Sequence, residues 1–243
     1  MRGEEGGLAV LDIVIPVYNE GKNICRTLAE IEGKVRTPHR VWIVYDFEGD
    51  DTLPAVAAWG KPAPEIRLVR NRFGRGVLNA IRTGFAAVPD DGVVLVVMAD
   101  LADDLAAVDG MAARIADGFD LVCGSRYMPG GRQIGGPRLK GLLSRLAGLS
   151  LHRLAGLPTR DVTNSFKMYR TALLRAIPIE SDGGFELGME LTVKAHAQGY
   201  RVTEVPSVWR DRTAGESRFR LARWLPKYLR WYWTALRSAR RGR

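Results

Sequence analysis

The sequence predicts an α/β protein built on a mostly parallel sheet with helices on both faces. Three observations point to it. Strand-like and helix-like segments alternate through the first half; the run Val93 to Ala99 is apolar without interruption and holds four valines; and polar residues cluster directly after the strand candidates. Alternation implies crossover connections between parallel strands. A short unbroken β-branched run reads as a strand buried on both faces. Open sheets of this kind bind ligands outside the carboxyl ends of their strands, where the polar clusters fall.

Taken in order, Leu8 to Val17 is a mostly apolar strand candidate closing on a proline. Asn23 to Ile31 carries Ile24, Leu28 and Ile31 at helical spacing. Val41 to Tyr45 is a second strand, followed by the acids Asp46, Glu48, Asp50 and Asp51, and Ile66 to Val69 is a third. Val77, Ile81, Phe85 and Val88 mark a helix. After the strand Val93 to Ala99 come a helix over Leu105 to Ile115, a strand over Leu121 to Cys123 and a glycine-rich loop over Gly130 to Pro137. The strand-end candidates are therefore Tyr18-Asn19-Glu20, Asp46 to Asp51, Asn71 and Asp100 to Asp104.

The chain of 243 residues is 46% hydrophobic and 26% charged, enough for one large domain or two small ones around a sizeable core. No stretch approaches the roughly 20 apolar residues of a membrane span, and no signal-peptide core precedes Leu8. A cytoplasmic location follows as the expectation. Cys25 and Cys123 are far apart and fit no metal-ligand spacing; Cys123 reads as core, and no disulfide framework is expected. Nine of the 36 basic residues lie at 218–243 and no acid follows Glu216, so the other 27 balance the 27 acids. The net charge of +9 thus belongs to the C-terminal segment and points to a polyanionic surface.

Asp100, Asp103 and Asp104 follow the buried strand directly. Hard divalent cations prefer oxygen ligands, and Mg²⁺ commonly bridges carboxylates to substrate phosphates. The plainer alternative for Asp103 or Asp104 is capping of the next helix.

At these residues the chain resembles glycosyltransferase family 2, and within it the dolichyl- or polyprenyl-phosphate mannose synthases. The ordered motifs run from about Val10 to Phe219. Ile15-Pro16-Val17-Tyr18-Asn19-Glu20 matches the opening nucleotide-binding strand. Arg70-Asn71 with Gly74, Gly76, Asn79, Ala80 and Gly84 matches a glycine-rich helix entry. Met98-Ala99-Asp100-Leu101 stands where the family carries Asp-Ala-Asp-Leu, and Gly124-Ser125-Arg126-Tyr127 is close to a signature of the phosphoprenol-using branch. Asp161 to Lys167, Glu204-Val205-Pro206 and Arg212 to Arg218 match the later motifs.

The resemblance implies a GT-A fold over 1–217; the residue pattern adds 218–243 as a basic, aromatic, amphipathic helix at the membrane interface. It implies an inverting transfer of a sugar, mannose from GDP-mannose favoured, onto a polyprenyl or dolichyl phosphate. It places Pro16, Tyr18, Glu20, Asp46 and Asp100 at the donor and Asp100 on a divalent cation, Mg²⁺ or Mn²⁺, to which the residue pattern adds Asp103 and Asp104 as candidate ligands. Arg126, Lys140 (or Arg138), Ser144, Arg212 and Arg218 would hold the acceptor phosphate or the donor diphosphate, a task that suits the guanidinium fork. Asp100, Arg126 and Arg212 would carry the catalysis by electrostatic positioning. A UDP-sugar or a non-lipid acceptor is the second reading, and a non-catalytic membrane module the third.

Three departures from the family bear on these expectations. Met98 replaces the first aspartate of the usual pair, Ala102 stands where a metal-contacting Gln is common, and Tyr45 to Asp50 keeps only Asp46 and Asp50 of its motif. Asp103 or Asp104 would supply the lost oxygens. Glu186 and Glu190, four apart on a helix, read either as a solvated face or as a contribution to the site.

In the tail, Trp224, Tyr228, Trp231, Tyr232 and Ala235 follow helical spacing, beside a stripe of Arg223, Lys227, Arg230, Arg237 and Arg241. Aromatic and basic residues of this kind suit an anionic bilayer interface. The alternative is an aromatic stripe docked on the enzyme's own core. No nucleic-acid-reading motif is present, and no nucleic acid is expected. The site would then sit on the cytoplasmic face of a membrane, held peripherally without a transmembrane helix.

Overall fold

The computed structural model describes residues 10–60, 65–211 and 221–241. Four parallel strands, β1 (Leu11–Val17), β2 (His39–Tyr45), β3 (Glu65–Arg70) and β4 (Val93–Val96), begin a seven-stranded sheet. Beyond β4 come β5 (Leu121–Ser125), β7 (Lys167–Arg170) and β8 (Val202–Pro206), giving the order β3-β2-β1-β4-β7-β5-β8. Only β7 runs antiparallel, wedged between β4 and β5. A small second sheet pairs β6 (Arg132–Ile134) with β9 (Val208–Arg210).

Helices cover both faces. Residues 13 and 15 of β1 pack into one core with α1 (Ile24–Lys34) and α4 (Val108–Ala116), whereas Val14 packs with α3 (Val77–Ala87) and α7 (Leu187–Ala197) on the other face. The alternation follows from the two-residue period of a strand. Gly84 of α3 lies so close to Val14 that an added Cβ would stand 2.3 Å from its side chain, so this crossing requires glycine. Asp12 is the polar exception in β1. It is fully buried and accepts bonds from Arg40 at 2.9 and 3.1 Å and from the Trp42 indole at 2.7 Å.

Pro16 sits in a central strand without breaking a ladder. Pairing to β4 ends at Val14, whose carbonyl accepts from Val97. Pro16 shares Val14's side by alternation, so its missing donor faces the opening beyond β4.

The remaining helices are α2 (Thr52–Ala57), α5 (Arg138–Leu154), α6 (Thr171–Ala176) and α8 (Leu221–Arg241). A third core joins α5, α7 and α8 through Leu151, Met189, Val193, Trp231 and Ala235. Here the tail's alternatives separate. Trp224, Trp231 and Ala235 are buried against the protein body, so the aromatic stripe is a docking face and not a lipid-facing one.

Other expectations are corrected in detail. The strand after Gly92 stops at Val96, and a 3₁₀ turn (Leu105–Ala107) precedes α4. The Gly130 to Pro137 loop contains β6. Glu186 and Glu190 are both buried, not a solvated face.

Candidate active site

The carboxyl ends of β1, β2 and β4 open on one side, and the loops there are fastened by aspartates. Asp50, fully buried, accepts from the Asn19 backbone N–H with both oxygens at 3.1 Å and from Thr52 N–H at 2.9 Å. Asp51 accepts from Gly21 N–H at 2.8 Å. Asn19, held at φ 54°, turns the chain sharply after β1. Glu20 accepts from the Asn23 amide at 2.9 Å, and its carbonyl begins α1.

Asp46 has both oxygens occupied within the protein: one accepts from Asn71 Nδ2 at 2.7 Å, the other from Gly76 N–H at 2.9 Å. It therefore shapes the Asn71–Gly76 loop at the start of α3. Facing the same opening, the exposed Tyr18 ring meets Phe47 with centroids 5.6 Å apart, and Arg75 lies over Phe47 at 5.5 Å. Phe47 was invisible as a site residue in the sequence, where it registers only as a break in an acidic motif.

After β4, Asp100, Asp103 and Asp104 line a cleft of about 420 Å³ together with Thr27 and Glu30 of α1 and Arg210 of β9. The three aspartates divide their work. Asp100 Oδ1 accepts from Ala102 N–H at 3.2 Å, across a turn in which Leu101 takes φ 60°. Asp103 Oδ2 accepts from Met98 N–H at 3.0 Å. Asp104 Oδ2 accepts from Val208 N–H at 2.9 Å and so ties this loop to β9. Neither Asp103 nor Asp104 caps a helix; the following 3₁₀ turn has no side-chain cap.

Burial, and next the neighbouring Asp100 carboxylate, push the Asp103 carboxyl up to about 7, while Met98 N–H and the Arg126 charge oppose the rise. Two carboxylates that repel each other beside a cleft are a donor set that a hard divalent cation would relieve. Among the described residues no cluster of three His, Cys, Asp or Glu side chains converges on one point. Of the expected trio, Asp100 and Asp103 interact electrostatically, while Asp104 is tied to β9.

Arg126 leaves the end of β5 and is almost enclosed. Its Nε donates to Asp161 Oδ2 at 2.6 Å and its Nη2 to Asp161 Oδ1 at 2.8 Å. Nη2 also reaches Ser144 Oγ of α5 at 3.0 Å and Thr163 Oγ1 at 3.2 Å. Burial alone would lower the guanidinium's pKa; the Asp161 carboxylate outweighs it and holds Arg126 firmly charged. Tyr127 completes the cluster, donating to Ser144 Oγ at 3.0 Å. Gly148 brings α5 against the Arg160–Asp161 backbone, where a Cβ would meet the Arg160 carbonyl at 2.0 Å.

The sites expected from sequence thus assemble in part. Asp100, Asp103 and Arg126 share one field, since Arg126 acts electrostatically on Asp103. Lys140 lies one turn before Ser144 on α5, half-buried. Arg212 and Arg218 lie outside the described residues; Arg210, two positions before Arg212, lines the cleft together with Arg26 of α1. Glu190 fixes a loop, accepting from Glu180 and Ser181 N–H at 2.6 and 2.8 Å and from Lys194 at 2.7 Å. Glu186 accepts from Gly183 N–H at 3.0 Å beneath α8.

Residues 12–177 match the family model described as Glycosyl transferase family 2. The chain belongs to that family. As a family 2 glycosyltransferase it is 28% identical over 212 residues to the undecaprenyl-phosphate mannosyltransferase of Micrococcus luteus, covering 84% of this chain and 85% of the relative. It is 30% identical over 212 residues to the dolichyl-phosphate hexose transferase of Haloferax volcanii, covering 86% of each. Among solved structures it is similar to glucosyl-3-phosphoglycerate synthase from Mycobacterium tuberculosis, crystallised with Mn²⁺, UDP and glucosyl-3-phosphoglycerate. The TM-score is 0.68 at 18% identity over 95% of this chain and 80% of that one. The fold of this glycosyltransferase is accordingly the GT-A fold, with the expected helix at its C-terminal end.

Proposed function

We propose that this glycosyltransferase moves a hexosyl group, mannose favoured, from a nucleoside diphosphate sugar, GDP-mannose favoured, onto a polyprenyl phosphate at a membrane surface. The observation that carries the reading is the near full-length similarity to enzymes named for lipid-phosphate acceptors in Micrococcus luteus and Haloferax volcanii. The Arg126–Ser144–Tyr127 cluster supports it, because a buried charged guanidinium with hydroxyl neighbours suits a phosphate monoester.

In this reading Tyr18 and Phe47 flank the base, and Asp46 and Asp50 hold the loops that form its pocket, while Pro16 and Glu20 set the strand end and the start of α1. Asp100 and Asp103 would hold a divalent cation, Mg²⁺ or Mn²⁺, beside the donor diphosphate. When bound, that cation stabilises charge on the departing diphosphate. An acceptor phosphate oxygen attacks the anomeric carbon as the bond to the diphosphate oxygen breaks, which inverts that centre and releases the nucleoside diphosphate. The acceptor is already ionised at neutral pH, so the protein's work is to position it. Arg126 and Ser144 hold it, with Lys140, Arg212 and Arg218 as further cations and Arg210 at the cleft.

The decisive assay incubates purified protein with labelled GDP-mannose, GDP-glucose, UDP-glucose or UDP-galactose and a short polyprenyl phosphate, with Mg²⁺, Mn²⁺ or EDTA. Lipid-extractable label from GDP-mannose, lost with EDTA, is the expected result. Transfer from a UDP-sugar alone would replace the donor, and absence of transfer from every donor would overturn the reading.

A further inference from the structure

We propose that Glu204 of β8 is a positioning residue for Arg126, and through it for the acceptor phosphate. Its carboxylate fixes the short segment 159–161, from which Asp161 aims the guanidinium. The consequence for the acceptor rests on the proposed function; the positioning of Arg126 does not.

β8 closes the sheet beside β5, and Glu204 stands opposite Cys123 in the register. Val205 packs into the core shared with α1 and α4, so alternation turns Glu204 toward the face that α7 covers. The Glu204 side chain is only 8% exposed. A buried carboxylate is costly unless its oxygens are occupied. Both are, by one segment 44 and 45 positions earlier. Oε2 accepts from Arg160 N–H at 2.6 Å and from Thr159 Oγ1 at 3.1 Å, and Oε1 accepts from Arg160 Nη1 at 2.5 Å.

Thr159 passes the constraint on. It is fully buried, and its hydroxyl donates to Glu204 while accepting from Asp161 N–H at 3.1 Å. A hydroxyl can fill both roles at once. Lys167, also fully buried, donates from Nζ to the Asp161 carbonyl at 3.3 Å. The backbone N–H and carbonyl of Asp161 are thus both held, which fixes the direction in which its side chain leaves the chain. That side chain meets Arg126 through both oxygens, and Oδ2 also accepts from Arg126 N–H at 3.0 Å. A continuous path, Glu204–Thr159–Asp161–Arg126–Ser144, runs from the last strand of the sheet to α5. Positioning is what such a path supplies, and a misplacement of about 1 Å at a binding group can cost on the order of a hundred-fold in rate. If Glu204 served only to hold the fold, its loss would act on both substrates alike.

The test uses the full chain and four variants. Glu204→Gln removes the charge, Thr159→Val removes the linking hydroxyl, Thr159→Ser restores it, and Asp12→Asn disturbs a buried carboxylate at the opposite end of β1. Steady-state transfer to farnesyl phosphate is measured with each substrate varied in turn. Glu204→Gln and Thr159→Val should raise the acceptor KM at least about ten-fold with donor KM unchanged, whereas Thr159→Ser and Asp12→Asn should leave the acceptor KM at the wild-type value. The Arg126 Nε–H signal, assigned by its absence from the NMR spectrum of Arg126→Lys, should exchange with solvent at least about ten-fold faster in Glu204→Gln and Thr159→Val than in wild type. If Glu204→Gln does not fold, Thr159→Val decides alone. Unchanged acceptor KM and Nε–H exchange, equal losses on donor and acceptor, or the same loss in Asp12→Asn overturns the proposal. If wild type transfers from no donor to any prenyl phosphate, the proposed function fails while the Nε–H signal still decides whether Glu204 holds Arg126.

Discussion

Arg126 and Asp161 face each other as fork and carboxylate, with Nε 2.6 Å from Oδ2 and Nη2 2.8 Å from Oδ1. The Asp161 side chain is fully buried and that of Arg126 only 10% exposed. The pair also carries α5, because the same guanidinium bonds Ser144. A salt bridge of this kind orients a cation that the proposed acceptor phosphate would use, which explains why so much charge is buried at one point.

Removing one partner leaves the other charge buried and uncompensated. Asp161→Asn should therefore destabilise the fold by about 3–5 kcal/mol, read by urea denaturation. Arg126→Lys keeps the charge and loses the fork. It should lower kcat/KM for the acceptor by at least about ten-fold while changing donor KM little; equal losses on both substrates would move Arg126 away from the acceptor.

Asp103 gives a pH dependence. Its folded pKa of about 7 lies above the ordinary 3.8, so between those values the folded chain holds a proton that the unfolded chain has lost. Stability from this group is full below the lower value and declines as pH rises through the window. In EDTA, wild type should lose more Tm between about pH 5 and about pH 8 than Asp103→Asn does. Identical pH profiles would show that Asp103 does not titrate there. Added Mn²⁺ should raise the wild-type Tm more at the higher pH.

Asp100 and Asp104 should separate chemistry from scaffolding. Asp100→Ala should abolish transfer with Tm nearly unchanged. Asp104→Ala frees the Val208 N–H and should cost about 1–3 kcal/mol, with residual transfer retained. Wild-type turnover of Asp100→Ala would remove it from the mechanism.

The two faces of α8 should respond differently to truncation. Trp231 is 3% exposed in a shared core, and Trp231→Ala should cost about 3–5 kcal/mol. Trp233 is 55% exposed, and Trp233→Ala should stay within about 0.5 kcal/mol. Thermal or chemical denaturation in lipid-free buffer checks both.

The sequence by itself determined the parallel first half, the strand ends that carry polar clusters, and the family, because β-branched runs, two- and 3.6-residue periods and ordered motifs are local signals. Asp100 and Arg126 were legible as candidates for the same reason. Long-range choices were not. That Asp46 and Asp50 spend their oxygens on neighbouring loops, that Asp161 claims Arg126, and that Asp104 reaches β9 depend on partners 25 to 104 positions away. The tail is the clearest case. An amphipathic aromatic helix can satisfy its apolar face against lipid or against protein with the same periodicity. Only the tertiary structure, by offering α5 and α7 to Trp231 and the Phe185 ring to Trp224, decided that both dock inward.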